Sequence, residues 1–137
     1  MTRRDFQILA RLRLNEAEVL FAAGLYSGSY YLAGYAIECA LKACIAKQTQ
    51  RFEFPDKRRA ESSHTHRLLD LVRTARLDTA MGLAERESPE IAASWRTAGL
   101  WSEQSRYTQK DRVEAEALLH AARDRRSGII PWLKKHW

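Results

Sequence analysis

Apolar and small residues recur with helical spacing along most of this chain, most continuously in Ser29–Lys47, SYYLAGYAIECALKACIAK. At 100° per residue, Ala33, Ala36, Ala40 and Ala43 form one ridge, and Tyr30, Ile37, Leu41 and Cys44 a bulkier flank beside it. A helix that is small or apolar on most sides is buried among other helices, so the remaining elements are expected to pack around this one. Its two charges, Glu38 and Lys42, stand at i,i+4 and can pair. Upstream, Phe6, Leu9, Ala10, Leu14, Ala17, Leu20 and Phe21 keep the 3.6 period and predict a first helix from Asp5 to Ala23. Arg13 falls inside that apolar face. It either finds a buried partner, Glu38 being the obvious one, or carries its charge out to solvent along its stem. Gly24 and Gly28 mark a short turn, with Ser27 or Ser29 as N-cap of the central helix, and a connection this short implies antiparallel neighbours.

After Gln48 the periodicity stops. Residues 49–65 read as a long loop, with Pro55 and a basic cluster at Lys57, Arg58 and Arg59. A third helix is expected from near His66 to Leu77, with Thr65 as a possible cap and Leu68, Leu69, Leu71 and Val72 on its apolar side. Ser88-Pro89-Glu90 combines an N-cap serine, a proline at the first helical position and an acid in the first turn. It predicts a fourth helix from Pro89 to Trp101. WSEQSRYTQKD then breaks the pattern. Asp111 is placed to cap a long last helix, interrupted or kinked near its end by Gly128 and Pro131. The pattern therefore predicts an all-α fold: a five-helix up-and-down bundle with long second and last helices, in one domain over residues 1–137.

Composition narrows this picture further. Of 137 residues, 45% are hydrophobic, and only six are glycine and three proline, which disfavours a sheet protein with many tight turns. Cys39 and Cys44 lie on one helix facing different ways, so they predict neither a disulfide nor a metal pair. That fits a reducing, cytoplasmic compartment. No apolar run reaches the roughly 18 residues of a membrane span, and MTRRDFQ lacks the hydrophobic stretch of a signal peptide. The net charge of +6, with a pI near 9.6, favours a polyanionic partner such as RNA or a nucleotide.

Familiar catalytic signatures are absent: no phosphate-binding glycine loop, no HExxH, no GxSxG and no paired CxxC. His64 and His66 have no accompanying carboxylate or cysteine cluster in sequence, so no metal and no cofactor is expected. Tyr30, Tyr31, Tyr35 and the four tryptophans could stack on bases, but aromatics at helical spacing are usually core. Glu38 with Lys42 could form an acid–base couple or a structural ion pair, and His120 with Asp124 stands at i,i+4 with no nucleophile identified.

Read with its flanks, AAGLYSGSYYLAGYAIECALKACIAK resembles the signature of the HEPN domain family. Its residues here are Gly24 and Tyr26 in the turn, then Tyr35, Ala36, Glu38, Ala40, Leu41 and Lys42. His66, Leu68 and Leu71 are similar to the start of the family's third helix, and Ser105-Arg106-Tyr107 to its arginine–tyrosine junction. The resemblance implies a helical bundle that pairs as a homodimer in prokaryotic cytoplasm. It also implies a link to a small nucleotidyltransferase in a toxin–antitoxin module, and in active members metal-independent ribonuclease chemistry. Those members use an arginine and a histidine four to six residues apart before the last helix. Arginine would hold the phosphate bidentately and histidine would move the proton. Here that position lacks the pair, since the histidine following Arg106 is His120. The spacing does occur between Arg59 and His64, ahead of the third helix.

These readings predict a dimeric nucleotide- or RNA-binding or partner-binding component, not an enzyme, with Lys57, Arg58, Arg59, Arg106 and Tyr107 as contacts. Arg13, Glu38 and Lys42 are expected to be buried structural polar residues. The alternatives are an endoribonuclease using Arg59 and His64, and a structural adaptor without a ligand.

Overall fold

The structure, a computed structural model, describes residues 1–49 and 57–137. Helix α1 (Arg3–Ala22) starts in a capping box: Thr2 Oγ1 accepts from the Asp5 amide at 3.2 Å, and Asp5 accepts from the Thr2 amide at 2.7 Å. It ends where Gly24 takes φ 78°, and the Leu25 amide closes back onto the Leu20 carbonyl at 2.9 Å. Helix α2 (Tyr26–Gln48) follows at once, three residues earlier than its apolar pattern suggests. Neither serine caps it. Leu25 occupies the N-cap position without a side-chain bond. Ser27 Oγ accepts from the Lys110 amide at 2.8 Å instead, and Ser29 donates to the Ala17 carbonyl at 2.7 Å, stitching α2 to α1.

Helix α2 is the axis of the molecule. Ala33, Ala36, Ala40 and Ala43 have no exposed surface, and neither do Ile37, Leu41 and Cys44. Small residues on both sides, Ala10 and Ala17 on α1 against the ridge of α2, let the two backbones approach closely.

The remaining elements are shorter and more numerous than five long helices. They are α3 (Lys57–Ser62), α4 (Leu68–Thr74), α5 (Asp78–Glu87), α6 (Pro89–Gly99), a 3-10 turn (Glu103–Tyr107), α7 (Arg112–Arg123) and α8 (Ile129–Leu133). The described residues thus form eight α-helices and no strand. Part of the expected loop is α3, while Pro55 lies outside the described residues. The expected third helix begins at Leu68 rather than His66 and ends at Thr74, where Arg76 turns to φ 56°. Ser88 caps α6 as expected, accepting from the Ile91 amide at 3.2 Å. Asp111 caps α7 with Glu114 answering it.

The long last helix is cut at Arg123. Asp124 Oδ2 accepts from Ser127 N and Oγ at 2.8 and 2.7 Å and from Arg126 N at 3.1 Å, and these bonds hold its carboxyl down at a pKa of about 2. Beyond the break, α8 buries Ile129, Ile130, Trp132 and Leu133. No described helix is long and apolar enough to cross a membrane.

Candidate anion-binding site

The buried charge of α2 organises the site. Glu38 is 1% exposed, and its Oε1 accepts from Lys42 Nζ at 2.9 Å, one turn along the helix. The same oxygen lies 2.9 Å from Nδ1 of His66, which enters from the segment just before α4. The other ring nitrogen, Nε2, faces Glu103 Oε2 of the 3-10 turn at 3.5 Å, within charge attraction but without a hydrogen bond. One imidazole therefore stands between two carboxylates brought from elements far apart in the chain. Arg13 takes no part. It pairs within α1 to Glu16 at 2.5 Å and is half-exposed, so it makes no buried bond to Glu38 and is not a buried polar residue but carries its charge out to the surface.

The 3-10 turn lies on α2 through aromatic packing. Trp101, 5% exposed, rests its pyrrole ring on Gly34, whose missing side chain leaves the space. Tyr31 stacks on Trp101 at 6.1 Å between ring centres, and Tyr35 on Tyr31 at 6.2 Å. These tyrosines are half-buried and Tyr30 is buried, so they are packing elements first. Tyr107 is different: it is 74% exposed, with the Arg106 guanidinium over its ring at 5.0 Å. The Tyr107 hydroxyl, and after it Tyr31, raises the Arg106 pKa above the ordinary arginine value. Arg106 is thus an exposed cation with an exposed aromatic ring beside it, on a turn anchored from below.

On the other side of Lys42 lies a cleft of about 220 Å³, lined by Phe6, Lys42, Ile45, Thr49, Ser63 and His64 among others. Lys57 and Arg58, on α3 just before it, are exposed. Arg59 is committed elsewhere: Nη2 donates to Gln48 Oε1 at 2.5 Å, and Gln48 in turn donates to the Ala75 carbonyl. Among the described residues, no cluster of three or more histidine, cysteine or acidic side chains could hold a metal ion.

The three segments quoted from the sequence (the Glu38–Lys42 helix, His66, and the Arg106–Tyr107 junction) meet in this one place. A family model, the HEPN domain, matches residues 9–127. The chain belongs to the HEPN family. At family level, that assigns it a nucleotide- or RNA-related function. No curated protein and no solved structure matches it. Within this HEPN domain, sequence reasoning found Glu38, Lys42, Arg106 and Tyr107. It took His66 for a helix start and passed over Glu103 and Trp101. Gly34, the one glycine inside an otherwise continuous alanine and aromatic stretch, was the available signal for a close approach.

Proposed function

We propose that this HEPN protein is a binding module: a single-domain, cytoplasmic, prokaryotic homodimer. It takes up RNA or a nucleotide through Arg106 and Tyr107, with Lys57 and Arg58 of α3 as secondary phosphate contacts, beside a nucleotidyltransferase partner in a toxin–antitoxin-like module. The observation that carries this reading is the exposed Arg106–Tyr107 pair on an anchored turn. A planar cation serves a phosphate, and the exposed ring of Tyr107 serves a base. The net charge of +6 acts in the same direction. Against the ribonuclease alternative, Arg59 would have to release Gln48 before it could meet a phosphate beside His64.

Fluorescence anisotropy with short single-stranded RNA and with ATP, followed against salt, tests the reading. Binding should weaken steeply as salt rises. Arg106→Ala should lower the slope for single-stranded RNA by about 0.7, the share of one phosphate contact. No binding at low salt, or an unchanged slope in Arg106→Ala, sinks it. Cleavage of structured RNA in EDTA that is lost in His64→Ala would favour the enzyme instead.

A further inference from the structure

Hydrogen-bond accounting around His66 does not balance. Glu103 Oε2 is shielded from water and lacks a donor, and it faces Nε2 of an imidazole whose Nδ1 is already engaged with Glu38 Oε1. Buried carboxylate oxygens without donors are costly. Of the charged groups set against His66, α2 offers Glu38 and Lys42, and the 3-10 turn offers Glu103, with Arg106 further along it. His64 and Arg67 stand on its own segment. Lys42 already serves Glu38 Oε1. A neutral imidazole carries one N–H and can donate to one carboxylate only, leaving a lone pair facing the other. A protonated imidazole donates from both nitrogens.

We infer that His66 is a proton-operated latch: with the ring doubly protonated it ties Glu38 on α2 to Glu103 on the 3-10 turn, and with the ring neutral it gives up the Glu103 end and leaves the turn held by its aromatic packing alone. The latch regulates presentation of Arg106 and Tyr107, and this second part rests on the proposed binding role of that pair. Lower pH therefore tightens the turn and higher pH loosens it.

The test uses the full chain. Amide hydrogen exchange of residues 103–108, corrected for the intrinsic pH dependence of exchange, is followed from pH 5.5 to pH 8 in the wild type and in Glu103→Gln. The wild type should lose protection roughly tenfold as pH rises, the worth of one charge-assisted bond. Glu103→Gln, whose amide serves either form of the ring, should show a flat profile. Glu103 is half-exposed, so this variant leaves the core intact, and its melting curve verifies folding. A pH-independent wild type, or an equal pH profile in Glu103→Gln, overturns the latch. RNA anisotropy over the same pH range separates the two claims. Protection that changes with pH while affinity does not keeps the latch and removes Arg106 and Tyr107 as its output. Salt-sensitive RNA binding with a pH-independent turn removes the latch and leaves the binding reading standing.

Discussion

A single glycine decides how closely the 3-10 turn lies on α2. A methyl group on Gly34 would overlap the Trp101 pyrrole ring, and Trp101 has no room to retreat because Tyr31 stacks on it. Gly34→Ala should therefore destabilise the protein by about 1–3 kcal/mol despite alanine's better helix propensity. A melting curve would show this, and unchanged or increased stability would contradict the packing described. The two thiols make a second prediction. Burial pushes Cys39 up to about 11 and Cys44 to about 12. The folded state thus holds both protons where the unfolded chain has lost them. The associated stability is complete below about pH 9 and is lost as pH rises from 9 through about 11 for Cys39 and about 12 for Cys44. Folded protein at pH 8 should leave a thiol reagent such as DTNB unreacted for as long as it stays folded, and release two equivalents on denaturation. Rapid reaction of either cysteine in the native state would disprove their burial.

Two helix ends of the same design show what the sequence could and could not convey at the scale of an element. At the end of α1 the left-handed residue is Gly24, and the turn there is readable. At the end of α4 the corresponding residue is Arg76, at φ 56°. The Arg76 and Leu77 amides return to the Arg73 and Val72 carbonyls at 2.9 and 3.0 Å. Nothing in the residue type announces that stop, so α4 and α5 could not be told apart from one helix and its trailing loop. Helix α5 compounds the difficulty. It has no buried residue, Gly82 in its interior and Leu77 at its N-cap, so neither periodicity nor capping marks it. Where side chains carry the boundary, as at Ser88 and Asp111, the sequence placed it correctly. Arg76 holds a conformation that costs an ordinary residue about 1 kcal/mol more than glycine. Arg76→Gly should therefore raise stability by up to about 1 kcal/mol, net of the entropy glycine adds to the unfolded chain. A fall in the denaturant midpoint would argue against the left-handed turn.

For the molecule as a whole, the central position of α2 was legible because burial writes itself into one stretch of small and apolar residues. The site was legible only in fragments. Glu38, His66 and Glu103 share no periodicity, and their meeting is a product of tertiary packing. The proposed homodimer belongs to this scale too. The outer face of α1 carries Ile8, Leu12 and Val19, exposed by 50, 44 and 61% and aligned on one stripe. Along the same helix the charge is divided. Arg3, Arg4 and Arg11 outweigh Asp5 in the first half, and Glu16 and Glu18 outweigh Arg13 in the second. A second copy laid antiparallel would set each positive half against a negative one and cover the apolar stripe by twofold symmetry. Twenty residues at about 1.5 Å each give a contact about 30 Å long. One helix pair of that length covers less than the roughly 800 Å² per partner of a stable interface, so the association should depend on concentration in the micromolar range. Light scattering after size exclusion should then report a mass approaching twice 15.8 kDa at high loading. Leu12→Glu, at a position already half in water, should return it to the monomer without lowering the melting temperature by more than about 2 °C. A dimer that survives Leu12→Glu places the interface on another face, and a monomer at every concentration removes the homodimer itself.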